Sequence, residues 1–337
     1  MTFSPHRPPA AWDRLRKVPA DVLVADYHLG PDCVNLFLIQ ASQVERHRIP
    51  LTDWDLPKLA GLSPGRSRGL GAVPVNPLPD NASLVAPVFA RARDCSLVYL
   101  MPHGPLEHYP LHAMNVGGRN LLDCCPVIYV PCVSMLPPEE SVLPTALRPL
   151  VMGNMTGDLG GAEREAIEVA DILGVQPYLG EDATLETLCR EAPGKDLIHI
   201  AGHGFFDPAA PLASGIPFPD GILTVRHVHD LRLNDCLVVL SGCVTGLGDE
   251  RPGEGFSSLV GAFLAAGARG LLVSLWNVDD NATCRFMVAL YASAVKGGIA
   301  LPAALQSSFL TVRRQAESQD PRTAPFYWAP FKPVGRW

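Results

Sequence analysis

Three stretches in the second half of the chain, Asp196–Ala201 (DLIHIA), Cys236–Ser241 (CLVVLS) and Gly270–Trp276 (GLLVSLW), are continuous apolar runs rich in β-branched residues. A strand with one wetted face alternates polar and apolar positions. Unbroken runs of this length fit strands covered on both faces. Helical segments are expected near Phe256–Ala266, Ala282–Ala294 and Ala300–Gln315. Strand alternating with helix predicts an α/β fold with a mostly parallel sheet and helices on both faces.

Upstream the same alternation is weaker. Ser96–Met101, Pro126–Pro131 and Leu150–Gly153 read as short strands. Ala82–Arg93, Glu163–Leu173 (ended by Gly174) and Thr184–Glu191 read as helices, the last with Thr184 as its cap. Val22–Ala25 and Val34–Ile39 predict a hairpin or two neighbouring strands. Residues 52–80, rich in Pro and Gly and without period, read as a long surface loop, and the first twenty as a loose arm.

Composition excludes several function classes. With 47% hydrophobic and 18% charged residues there is ample material for a core, and 27 basic against 34 acidic side chains leave a net charge of −7. An acidic chain without a basic block argues against nucleic acid or an anionic membrane as a direct partner. The opening MTFSPHRPPAAWDRLRK has no apolar core of a secretory leader, so a cytoplasmic protein is expected. Leu259–Trp276 carries Arg269 and three glycines and is not read as a membrane span. The nine cysteines form no CxxC and are read as reduced thiols, at least seven of them buried. No metal site is expected: His227 and His229 lack partners at ligand spacing and fit a solvated helix or turn. No cofactor is expected either, because no GxGxxG or GxxxxGK[ST] follows a strand.

In open parallel sheets reactive groups gather beyond the carboxyl ends of strands. DLIHIA runs into Gly202-His203-Gly204, and CLVVLS into Gly242-Cys243-Val244-Thr245-Gly246. The two are 243 − 203 = 40 residues apart, about one strand–helix–strand crossover. Neighbouring parallel strands would bring an imidazole and a thiol to one end of the sheet. An imidazole beside a thiol promotes the thiolate and later protonates a leaving amine. The flanking glycines let a carbonyl approach backbone N–H groups. A binding α/β domain with glycine-rich loops would look similar from these residues alone.

The surrounding text resembles the CHAT domains, relatives of caspases and separases. The resemblance is carried by LGGAEREAIEVADILG (159–174), DATLETLCREAPGKDLIHIAGHGFFDP (182–208) and DGILTVRHVHDLRLNDCLVVLSGCVTG (220–246). It continues in GEGFSSLVGAFLAAGARGLLVSLWNVDDNAT (253–283) and WAPFKPVG (328–335), and spans roughly residues 20–336. It implies a caspase-like fold: a loose arm over 1–20, a degenerate N-terminal half over 21–148 holding His103, His108 and His112, and a catalytic half over 149–337.

The resemblance further implies a cysteine endopeptidase that uses a Cys243–His203 dyad, His203 closing HxxxHG and Cys243 sitting in S-x-C-x-T-G. Backbone N–H groups of Gly204 and Cys243 would form the oxyanion hole. In LW-x-V-x-D, Asp280 with Asp279 and Trp276, joined by Glu254, would contact substrate and select a basic P1 side chain. Asp280 capping a helix at Asn281–Ala294 is the competing reading. Asp207 is read as shaping the loop after His203, and His199 as a packed core residue. Gly242 departs from the family's usual alanine. The expected partners are a protein substrate, encoded nearby, and a separate regulatory protein, in a bacterial antiviral-defence or programmed-death setting. A non-catalytic CHAT-fold scaffold is the alternative function.

Overall fold

The apolar runs of the second half become adjacent strands of one sheet. The computed structural model describes residues 10–51, 82–136, 146–205, 213–242 and 259–337; the predicted loop at 52–80 lies outside them. The strands are β1 (Val22–Leu29), β2 (Cys33–Gln40), β3 (Gln43–Pro50), β4 (Leu97–Pro102), β5 (Val127–Tyr129), β6 (Pro149–Gly153), β7 (Tyr178–Leu179), β8 (Leu197–Ala201), β9 (Gly215–Phe218), β10 (Gly221–Thr224), β11 (Cys236–Ser241), β12 (Ala268–Ser274) and β13 (Phe331–Gly335). The helices are α1 (Ala10–Leu15), α2 (Ala82–Ala92), α3 (Gly160–Leu173), α4 (Leu185–Glu191), α5 (Val225–Asp230), α6 (Leu259–Ala265), α7 (Asp280–Tyr291), α8 (Leu301–Gln319) and α9 (Pro325–Trp328).

Eleven strands form one sheet in the order β3-β2-β1-β4-β5-β13-β12-β11-β8-β6-β7, with β9 and β10 making a separate hairpin. Every residue of β6, β8, β11, β12 and β13 is buried. Both faces of the centre are therefore covered, which is why these runs carry no alternation.

Direction changes once in the middle. β1, β4, β5 and β13 pair in parallel. β12, β11, β8, β6 and β7 also pair in parallel. Between these sets β13 and β12 run antiparallel. The carboxyl ends of β1, β4 and β5 therefore lie at the opposite end of the sheet from those of β12, β11, β8 and β6. The final strand of the chain joins the two sets, so the expected division at 148/149 falls within a continuous sheet. Stacked Phe286 and Phe331 (4.3 Å between centroids) and edge-on Phe286 and Phe309 (4.9 Å) tie α7, α8 and β13 together. Gln306 Nε2 donates to Leu122 O at 2.8 Å and Arg313 pairs with Asp123 at 2.8 Å, so α8 also grips the first half.

Two expectations need correction. Within the supposed loose arm, Ala10–Leu15 is helical, Leu15 is buried in the core, and Arg14 Nη1 donates to Leu136 O at 3.3 Å. One apolar side chain and one reach to a distant carbonyl suffice to dock the segment. The cysteines are less buried than expected: of the eight described, all are free, but Cys132 and Cys189 are exposed and Cys124 is half-buried. Among the described residues no helix is long and apolar enough to cross a membrane.

Candidate active site

The ladder continues past the strand ends. Asn154 N donates to Ala201 O at 2.9 Å, and Gly202 N to Ser241 O at 3.0 Å. β6, β8 and β11 thus finish in step, and their outgoing loops begin side by side. The residue before Cys243 is held tightly between neighbours. A Cβ on Gly242 would stand 2.2 Å from Gly202 O and 3.6 Å from Gly204 N. On its other side, the Ser274 hydroxyl at the end of β12 donates to Gly242 O. Glycine at 242, where the resemblance expects alanine, lets the backbone at the end of β11 approach the Gly202–Gly204 turn this closely. Cys243, Glu254 and Asp207 themselves lie outside the described residues.

His203 is half-exposed, and its loop is pinned by a reciprocal pair of backbone bonds between Phe205 and Gly215 at 3.0 and 3.1 Å. Its Nε2 lies 3.1 Å from Asp158 Oδ1. The Asp158 carboxyl is held below the usual carboxylate range, first by the Thr156 hydroxyl and then by His203. Asp158 sits in the loop after β6, at the same end of the sheet. Sequence reasoning missed it, although the rule that located His203 and Cys243 applies equally to the strand Leu150–Gly153 and the acid in its exit loop. An exposed contact like this adds little stability.

The Leu275–Asp280 segment divides its roles. Asp279, not Asp280, caps the helix: its Oδ1 accepts from Ala282 N at 2.9 Å, and α7 begins at Asp280. The capping expectation for Asp280 is thereby corrected. The reason is local: the hydrogen bond from three residues on makes the first acid the cap and leaves the second free. Asp280 packs against α3, where a Cβ on Gly161 would fall 2.5 Å from its Oδ2. Burial first, then the neighbouring Asp279, raise the Asp280 pKa, while His203 and Arg164 pull it back. Asp280 is thus within electrostatic reach of His203. Trp276 is half-buried, its indole N–H donating to Phe326 O at 3.1 Å, which fixes the ring as part of a wall.

His199 and His227 are structural. His199 is fully buried in β8, its Nε2 3.0 Å from Glu165 Oε1 and its Nδ1 3.1 Å from the Tyr291 hydroxyl. His227 turns its Nδ1 back to Thr224 N at 3.3 Å, closing the start of α5. The thiols of Cys125 and Cys236 are pushed up to about 12 by burial and are chemically inert at neutral pH.

Comparison with known proteins decides the family. The CHAT domain family matches residues 81–336. The chain belongs to the CHAT domain family. Tetratricopeptide repeat protein 28 of Mus musculus and of Homo sapiens are each 30% identical over 217 residues, 53% of this chain. This CHAT chain spans only 9% and 8% of their lengths. Separase, in the Saccharomyces cerevisiae separase–securin complex, matches with a TM-score of 0.66 at 12% identity, over 97% of this chain and 31% of that one. The Arg-specific cysteine proteinase gingipain R matches with a TM-score of 0.55 at 12% identity, over 76% of this chain and 67% of that one. At such identities the likeness is one of fold, and the fold is the caspase-like α/β fold of cysteine peptidases.

Proposed function

We propose that this CHAT domain is a cysteine endopeptidase in which Cys243 is the nucleophile and His203 its base. The observation that carries the reading is the contact of Gly242 with the Gly202–Gly204 turn, since it starts the nucleophile's loop against the imidazole's loop. His203 takes the Cys243 thiol proton, and the thiolate attacks a peptide carbonyl. The resulting oxyanion is met by the N–H groups of Gly204 and Cys243. The imidazolium proton passes to the leaving amine, leaving a thioester. Water then attacks the thioester, giving its proton to His203 and returning the free thiol and a carboxylate product. Asp158 holds the ring in the tautomer this sequence needs. Asp280, released from capping, supplies the charge that would select a basic P1 side chain, in the manner of charge-assisted carboxylate–guanidinium pairs. On this reading residues 149–337 are the catalytic half and 21–148 a degenerate one, and the natural substrate is a protein cut in a defence or death response.

A peptidyl electrophile with arginine at P1 tests the dyad. It should label Cys243 in the wild type and lose that labelling in Cys243→Ala and His203→Ala. Asp158→Ala should slow labelling by about tenfold, and Asp158→Asn should not restore it. Cleavage should vanish with either dyad substitution; continued turnover by Cys243→Ala removes that residue from the mechanism. Sequencing new protein N-termini in cells carrying wild type or Cys243→Ala would then name the substrate. The relatives named for tetratricopeptide repeats favour a second reading, a scaffold that keeps the peptidase shape. That reading gains if the probe labels Cys243 no faster than Cys132 and Cys189.

A further inference from the structure

The opposite end of the sheet carries a second constellation that the peptidase reading does not use. β1 and β4 pair in parallel with Asp26 opposite Met101 and Tyr27 opposite Pro102, so the next step of the register sets His28 beside His103. Strand alternation puts Asp26 and His28 on one face, while Tyr27 between them is fully buried on the other. The Asp26 carboxylate bridges the two Nε2 atoms, Oδ2 at 3.0 Å from His28 Nε2 and Oδ1 at 3.1 Å from His103 Nε2. The imidazoles stack with centroids 4.5 Å apart and planes at 27°. Ligand atoms of all three residues fall within 4.8 Å of one another.

We propose that Asp26, His28 and His103 form a binding site for a divalent transition-metal ion. Two imidazoles and one carboxylate are the donor set such ions favour, and calcium or magnesium, which seek oxygen, are not. Metal–ligand bonds of about 2.0–2.2 Å place donor atoms about 3.0–3.5 Å apart; the two carboxylate–imidazole separations are already 3.0 and 3.1 Å, and with all ligand atoms within 4.8 Å a small side-chain rotation completes the set. Both histidines turn the same nitrogen, Nε2, to the common centre. Asp26 and His28 stand on β1 and His103 directly follows β4, and Phe37 on β2 packs edge-on to His28 at 5.8 Å, limiting the swing of that ring. Asp26 is largely covered at 16% side-chain exposure, whereas His28 is 51% exposed. Solvent therefore reaches one side, giving the ion an entry path and at least one position for water or for a donor from a partner. Bound there, the ion ties the carboxyl ends of β1 and β4 together.

Cobalt(II) titration of the reduced full-length chain tests the site. The wild type should bind one equivalent with weak d–d absorption and without a sulfur-to-cobalt charge-transfer band, and its Tm should rise with free Co²⁺. Losing an outer partner alone weakens metal sites by 10–100-fold, so His28→Ala, His103→Ala and Asp26→Asn should each weaken binding by at least about tenfold. His28→Gln, at a half-exposed position, keeps the bulk of the side chain and serves where another variant fails to fold. Binding that survives all of these substitutions, a strong charge-transfer band from thiolates, or a wild type that takes up no cobalt would each overturn the assignment. None of these results bears on Cys243, since the two constellations lie at opposite ends of the sheet.

Discussion

His203 of the second half and His112 of the first live in opposite environments. In the second half His203 stands half in water at the end of a buried strand, on a turn walled by glycines, with an exposed carboxylate for company. In the first half His112 is sealed in the core, its Nδ1 2.8 Å from the Tyr129 hydroxyl and its ring against Phe309 and Trp328. Burial, with help from Lys332, lowers its pKa to about 3. His108 is lowered to about 4 by the same two causes. Lys332, on the strand that joins the halves, is itself buried over the Tyr129 ring at 4.8 Å, and burial lowers it to about 8. One imidazole is left half in water at a strand exit. The other is held uncharged at neutral pH as packing.

The burial of His112, His108 and Lys332 makes their shared neighbourhood a pH-sensitive part of the fold. Below its ordinary pKa of 6.5, His112 binds a proton in the unfolded chain but not in the folded one. The stability it contributes is therefore full above pH 6.5 and is lost as the pH falls towards 3, on the order of 5 kcal/mol in total. His108 acts in the same direction. Urea titrations at pH 7 and pH 4 should show this loss, and His112→Gln should flatten it. An unaltered acid limb in that variant would break the comparison. At the alkaline end the unfolded chain holds the Lys332 proton up to about 10.5, while the folded chain releases it near 8. Stability should thus rise by about 3 kcal/mol across that window, and Lys332→Met should abolish the rise.

Legibility in the sequence followed the same division. DLIHIA, CLVVLS and GLLVSLW became β8, β11 and β12 because a strand buried on both faces writes its burial into every residue. β3 (QVERHRIP) was invisible: it is an exposed edge strand with charge at three positions, and its hairpin turns on Ala41-Ser42 with positive φ rather than on an Asn-Gly pair. β13 was hidden by Pro333 and Lys332, residues that argue against a central strand. At the site, His203 and the neighbourhood of Cys243 were legible from glycine-flanked strand ends. Asp158 was reachable by the same strand-exit rule, but one sequence does not say that the exit loops of β6 and β8 meet, and only that meeting sets its carboxylate against His203. The reversal of direction at β13 was equally unreadable, and it sends His103 after β4 and His203 after β8 to opposite ends of the sheet.

The next test bears on the contact between the two reactive loops. Gly242→Ala places a methyl 2.2 Å from Gly202 O, backbone against backbone, so one loop must move. A cost of about 1–3 kcal/mol is expected, as for overpacking elsewhere. Labelling of Cys243 should fall by more than stability alone explains, because the movement separates His203 from the nucleophile's loop. If Gly242→Ala matches the wild type in both urea midpoint and labelling rate, the loops have slack and the tight approach is not what joins the dyad.

The smallest effect separates the two adjacent acids. Asp279 accepts a hydrogen bond from Ala282 N and should behave as an ordinary cap, so Asp279→Ala should cost about 1 kcal/mol of stability. Asp280 accepts no such bond, and its carboxyl sits within reach of His203 and Arg164. Asp280→Asn should therefore leave the urea midpoint nearly unchanged while lowering the preference of the site for an arginyl over a neutral P1 probe. A variant pair with these effects exchanged would reassign the cap to Asp280 and leave Asp279 as the residue facing substrate. Because the two side chains follow one another on the same turn, the outcome depends on which carboxylate the first N–H groups of α7 have already claimed, and that is fixed by the backbone before any substrate arrives.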